Sequence, residues 1–133
     1  MIRLGSIILF IFTVLACSTS NSQNISKVID AGAFEKQMKS DKQVVVVDLR
    51  TDQEVVQGVI EGAIQIDYRS QDFKKKLEEL DKSKTYMVYC AVGGRSGRAA
   101  SLMNEIGFKE IYDLKGGMTA WKAEGKKVSQ LKP

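Results

Sequence analysis

Four consecutive valines, Val44 to Val47, constrain this chain more than any other feature. A β-branched run that is apolar on both faces suits a strand buried from both sides, the usual position of a strand in a parallel sheet covered by helices. The rest of the chain alternates in the same sense. Lys27 to Asp30 predicts a short first strand, and Ala33 to Lys39 a short helix with Phe34 and Met38 on one face. Thr51-Asp52-Gln53-Glu54 has capping-box spacing and opens a short helix that Gly58 closes. Ala63 to Asp67 predicts a third strand, Gln71 to Leu80 a helix, and Thr85 to Tyr89 a fourth strand. Ser96 to Ile106 predicts a helix with Ala99, Leu102, Met103 and Ile106 inward, stopped by Gly107. Ile111 to Leu114 is a fifth strand, and Gly116-Gly117 opens a last helix carrying Trp121. Strands and helices alternating through short links imply a three-layer α/β/α domain on a central five-stranded parallel sheet with right-handed crossovers. A chain of 133 residues holds one such domain.

The first residues do not belong to that pattern. Arg3 is followed by the apolar run Ile7 to Val14, broken only by Thr13 and too short to span a bilayer comfortably. It reads as the apolar region of an export signal. Val14-Leu15-Ala16-Cys17 resembles a bacterial lipobox, which implies that residues 1–17 form a lipoprotein signal whose Cys17 becomes the lipidated first residue. An ordinary signal peptide and an uncleaved anchor are the alternatives. Residues 18–24, Ser-Thr-Ser-Asn-Ser-Gln-Asn, then form a polar tether ahead of a domain over residues 25–130. Ser18 after the cysteine, rather than Asp, looks like the pattern that permits transfer to the outer membrane, with the domain facing the periplasm.

Charge and residue counts remove several function classes. The net charge of +4 is spread through mixed segments such as Lys74-Lys75-Lys76-Leu77-Glu78-Glu79, a solvated helix face rather than a nucleic-acid surface. The chain has no histidine, so Cys-His hydrolases, Ser-His-Asp triads and His-containing zinc sites are out. It has two cysteines, and the lipobox takes Cys17, so Cys90 has no internal partner for a disulfide or a dithiol cycle. Nothing calls for a metal or an organic cofactor, and a monomer is the default state.

Cys90 stands where the fourth strand ends, and ligands of open parallel sheets bind beyond the carboxyl ends of the strands. The loop Cys90-Ala91-Val92-Gly93-Gly94-Arg95-Ser96 leads from that strand into a helix. Its glycines permit a tight curl whose backbone N–H groups form an anion cradle. The helix N-terminus adds partial positive charge, and Arg95 can add a full one. These effects favour thiolate over thiol, and the thiolate is the nucleophile. The competing reading is a buried cysteine beside a turn and a surface arginine.

The loop resembles the C-x-x-G-x-R-S active loop of single-domain rhodaneses. Other motifs follow in that family's order: Val47-Asp48-Leu49-Arg50 with Glu54, Gly58-Val59-Ile60-Glu61-Gly62-Ala63, and Leu114-Lys115-Gly116-Gly117 with Trp121. The resemblance spans residues 25–128 and implies a sulfurtransferase that carries sulfane sulfur as a Cys90 persulfide. Its partners would be a small sulfur-containing anion, such as thiosulfate, or a thiol or persulfide protein, with cyanide or a thiol as acceptor. Ala91 to Arg95 would supply the cradling N–H groups, and Arg95 would orient a sulfonate-type donor or brace the loop. Asp48, Arg50 and Glu54 would be structural, and Gly116, Gly117 and Trp121 packing residues. The chain departs from the family at Val59, where a histidine is usual, and at Ala91 and Val92, where some thiosulfate-active members carry positive charge. A less cationic mouth suits a polysulfide or protein persulfide at least as well as thiosulfate.

Three rivals remain. Dual-specificity phosphatases of the same fold use C-x5-R, whereas four residues separate Cys90 from Arg95, a ring sized for sulfur rather than phosphate. A non-catalytic binding module would not need Cys90, Gly93 and Arg95 together. A redox sensor would use Cys90 as an exposed low-pKa thiol.

Overall fold

The structure is a computed structural model, and it describes residues 23–133. Ten elements alternate along it: β1 (Ile25–Ile29), α1 (Ala31–Ser40), β2 (Val45–Asp48), α2 (Asp52–Val55) and β3 (Ile64–Gln65). Then follow α3 (Phe73–Glu78), β4 (Thr85–Tyr89), α4 (Gly94–Glu105), β5 (Glu110–Leu114) and α5 (Gly117–Ala123). The five strands form one all-parallel sheet in the order β1-β5-β4-β2-β3. The α/β class and the five-stranded parallel sheet expected from the sequence are therefore both present.

Strand alternation divides the core in two. Val47, Tyr86, Val88 and Ile111 face one way and pack with Phe73 and Leu77 of α3 and Ala99, Ala100 and Met103 of α4. Val46, Met87, Tyr89 and Leu114 face the other way, onto Phe34 of α1, Val55 of α2 and Met118 and Trp121 of α5. Period-two alternation sends neighbouring residues to opposite layers, so both faces must be apolar. Of the side chains expected inside α4, Ala99 and Met103 are fully buried, and Leu102 and Ile106 pack at the core margin.

The element ends differ from expectation for local reasons. β1 runs from Ile25 to Ile29, and Asp30 caps α1 by accepting the Ala33 N–H at 2.8 Å. β3 holds two residues because Ile66 and Tyr68 already veer off, their N–H groups donating to the Asp48 and Leu49 carbonyls. α3 is shorter than Gln71 to Leu80, covering Phe73–Glu78. α4 begins at Gly94 rather than Ser96, since Gly93 itself, at φ 108°, turns the chain into the helix. In α2 the Thr51 N–H and hydroxyl both donate to Glu54 Oε2 at 3.0 Å, as the capping-box spacing anticipates. Val59 is buried and exchanges two 2.8 Å backbone bonds with Ser129, so the turn is tied to the C-terminal segment by main chain.

Cys17 and the proposed signal segment lie outside the described residues. No helix among the described residues is long and apolar enough to cross a membrane.

Candidate functional site

β4 is the central strand, fully buried from Tyr86 onward, and it delivers Cys90 to the carboxyl edge of the sheet. The left-handed turn at Gly93 folds the following residues back over the sulfur. The Gly93 N–H donates to Cys90 Sγ at 3.1 Å and the Ser96 N–H at 3.4 Å, while Ser96 Oγ lies 3.5 Å from it. Burial pushes the Cys90 thiol up, but hydrogen bonds from the Ser96 hydroxyl and the Ser96, Gly93 and Val92 N–H groups outweigh it. The net shift is downward, toward the thiolate. Cys90 itself is only 1% exposed, which corrects the picture of an open thiol: the sulfur is roofed by its own loop.

The loop is fastened from below. Met118 N–H donates to the Cys90 carbonyl at 2.8 Å and Thr119 N–H to the Ala91 carbonyl at 3.0 Å, so the first turn of α5 satisfies both. This approach is possible because residue 117 is glycine. A Cβ there would be driven into the Cys90 carbonyl oxygen and would lie 2.8 Å from Ala91 C and O, and its φ is 57°. Gly117 was expected to be a packing residue, and what it packs against is the Cys90 peptide itself.

The loop is also fastened from the side. Arg95 is gripped by both Glu54 oxygens, Nη1 to Oε2 at 2.8 Å and Nη2 to Oε1 at 2.7 Å. Of the two roles expected for Arg95, this geometry is the brace. The hydrogen bond from Arg95, against an opposing effect of burial and with help from Thr51, holds the Glu54 carboxyl down at about 2. Behind it, the buried Asp48 and Arg50 pair at 2.7 Å, and Arg50 Nη2 donates to the Gly58 carbonyl at 2.7 Å. Asp48, Arg50 and Glu54 thus tie the end of β2, α2 and the Gly58 turn to the loop, the structural part expected of them.

A cleft of about 200 Å³ opens beside the loop, between Ala91, Met118, Thr119 and Lys122 on one side and Arg50, Glu54 and Gln57 on the other. Larger concavities beside Trp121 and Leu131 contain no cysteine and lie away from the loop. Val92 crowns the loop and is 68% exposed. One buried group near the site was not anticipated: Asp113 of β5, 5% exposed, on the sheet face that carries α4. Its Oδ1 has no hydrogen-bond partner, and burial, partly offset by Ser96, raises its carboxyl to about 6.

A parallel α/β domain whose central strand ends in a cysteine held by N–H donors defines the class: a cysteine-loop α/β domain. The rhodanese-like domain family matches residues 30–124, and the chain belongs to that family. It is 37% identical to YtwF of Bacillus subtilis, a proposed sulfurtransferase, over 75% of this chain and 94% of that protein. A sulfurtransferase of Allochromatium vinosum is 29% identical over 73% of this chain and 89% of its own length. Among solved structures, a rhodanese-related protein from Thermoplasma volcanium superposes with a TM-score of 0.70 at 30% identity. That match covers 79% of this chain and 99% of the other.

Proposed function

We propose that this protein is a sulfurtransferase in which Cys90 is the nucleophile and carries sulfane sulfur as a persulfide. The observation that carries the reading is the convergence of the Gly93 and Ser96 N–H groups on Cys90 Sγ. The Cys90 thiolate attacks the outer sulfur of a donor. With thiosulfate, the S–S bond to Cys90 forms as the donor S–S bond breaks, and sulfite leaves with the electron pair. An acceptor thiolate or cyanide then attacks the outer sulfur, and the Cys90 thiolate leaves. No net oxidant or reductant is needed, because each step exchanges one bond to sulfur for another. The loop N–H groups stabilise the sulfur anion before and after each transfer.

The mouth bears on the donor. Arg95, the one cation in the loop, is engaged by Glu54, and Ala91 and Val92 are apolar. A polysulfide or a protein persulfide suits such a mouth at least as well as thiosulfate. The reading further places the chain as a monomer in the bacterial envelope, held by a lipid on Cys17 and facing the periplasm. The test is cyanide-dependent thiocyanate formation by the protein, with thiosulfate and then polysulfide as donor, beside Cys90→Ala. Turnover that is lost in the variant and faster with polysulfide supports the reading. No turnover with either donor, and no persulfide mass on Cys90, overturns it in favour of a binding or sensing role.

A further inference from the structure

Three cations stand around the Cys90 loop, each beside a different residue of it. Lys122 of α5 lines the cleft with Ala91. Lys115 precedes Gly116, whose N lies 3.7 Å from where a Cβ at Gly93 would stand. Arg98 of α4 brings Nη2 to 3.9 Å from the corresponding point at Gly94, with its guanidinium over the Tyr68 ring. All three are exposed, and none pairs with an acid among the described residues. The acids of this edge are engaged elsewhere. Glu54 is held by Arg95, Asp67 Oδ1 accepts the Arg69 N–H at 2.8 Å, and Asp52 Oδ1 accepts from the Gln65 amide at 2.8 Å.

Apolar surface lies inside this ring. Val92 on the loop is 68% exposed, next to Ala91 in one wall of the cleft. Val56 at the end of α2 is 70% exposed, next to Gln57 in the opposite wall. One exposed valine is ordinary. An apolar centre with charge around it is the arrangement of a protein interface, and here it surrounds the sulfur-bearing loop.

We propose that this face docks an acidic protein, which presents a thiol or persulfide cysteine to Cys90 across Val92 while its carboxylates meet Lys115, Arg98 and Lys122. The occupant follows from charge complementarity, since unpaired cations around a reactive sulfur attract and orient an acidic surface. Cations beside three different loop residues suit an extended partner rather than one small anion. A bilayer would also answer to the cations, but it brings no sulfur to Cys90. The contact is small and salt-sensitive, as a partner that must leave after each transfer requires. Holding the partner there offsets the roofing of the sulfur, because a docked thiol meets Cys90 far more often than a free one.

Such a surface has a purpose only if Cys90 is the reacting sulfur, so the proposal rests on that reading, but its test requires no sulfur transfer. Two synthetic peptides, Glu-Glu-Leu-Cys-Leu-Glu-Glu and Lys-Lys-Leu-Cys-Leu-Lys-Lys, are each activated as the mixed disulfide with thionitrobenzoate. The Cys90 thiolate attacks the peptide sulfur, the new S–S bond replaces the old, and coloured thionitrobenzoate leaves with the electron pair. Rates for the full chain are divided by the rate of Cys90 alkylation by neutral iodoacetamide in the same protein, which cancels changes in the thiol itself. The acidic peptide is expected to react at least about tenfold faster than the basic one at low salt. That preference should shrink to within about twofold in about 0.5 M NaCl, where surface charge is screened. Arg98→Glu/Lys115→Glu/Lys122→Glu should abolish it at low salt as well. Equal rates for the two peptides in the wild type, or an acidic preference that survives in the triple variant, overturns the proposal. The wild-type comparison decides it even if the triple variant fails to fold. Equal peptide rates together with binding to phosphatidylglycerol vesicles that the variant loses would overturn it in favour of a membrane-facing surface. An acidic preference in a protein without thiocyanate turnover would support the docking surface and count against the proposed activity.

Discussion

Glu54 and Arg95, 41 residues apart, meet in a two-pronged ion pair that closes the side of the Cys90 loop. The pair joins the first helix after β2 to the first turn of α4, so the loop's position depends on a turn far away in sequence. Two charge-assisted bonds in a planar fork fix direction as well as distance. Glu54→Gln is expected to lower turnover by about tenfold while costing only about 1 kcal/mol, since the pair is partly open to water. Thiocyanate assays and thermal unfolding check the two parts separately.

The same carboxylate predicts an acid limb. Its folded value of about 2 lies below the ordinary 4.5, so the stabilisation is present above 4.5 and is lost as pH falls through the folded value. Urea midpoints between pH 5 and pH 2 should fall more steeply for the wild type than for Glu54→Gln. Parallel curves would mean that the pair contributes nothing to folding.

Gly117→Ala should be severe and Gly125→Ala mild. Both glycines have positive φ, 57° and 69°, but a Cβ at 117 meets the Cys90 and Ala91 peptide while one at 125 meets nothing within 4 Å. The first change is expected to cost more than about 3 kcal/mol and to abolish activity, the second about 1–2 kcal/mol. Equal effects would show that backbone strain alone, and not the contact with Cys90, sets the cost.

Asp113→Asn should change the pH dependence of stability with a definite sign. A carboxyl raised from 3.8 to about 6 destabilises the folded state progressively as pH rises from 3.8 through 6, and by a constant amount above that. The isosteric amide does not ionise, so relative to wild type it should gain up to about 3 kcal/mol between pH 3 and pH 7.5. Denaturant unfolding at the two pH values measures that difference.

Lipidation of Cys17 is checked in a bacterial host. Labelled palmitate should be incorporated into the wild type and not into Cys17→Ser, and the variant should leave the membrane fraction. An unlabelled wild type would point to one of the other two N-terminal readings.

What the sequence made legible follows burial. Val45 to Val47 and Thr85 to Tyr89 lie in strands covered on both faces, and such runs state their conformation with little ambiguity. β1 starts two residues and ends one residue before the expected span because it is an edge strand, mostly exposed, with Ser26 and Lys27 carrying no apolar pattern. The cysteine loop was readable as an anion cradle, yet the start of α4 was not, since Gly93-Gly94 looks like loop while Gly93 serves as the helix cap. The signal for Asp113 was an acid inside the otherwise apolar run Ile111 to Leu114. Its meaning needed the register that sets β5 beside β4 and under α4. Gly117 likewise needed the topology, because nothing local says which peptide its missing side chain makes room for.

The pairing of β1 with β5 bears on how the molecule comes into being. The first strand of the domain has one neighbour in the sheet, and that neighbour is the last strand. Loop closure of this span is a late event, since distant contacts form only after the entropy of bringing them together has been met. A nascent chain therefore leaves its opening strand unpaired until nearly everything else has been synthesised. Were the chain exported as proposed, that delay would leave the opening strand free of the sheet while the polypeptide crossed the membrane.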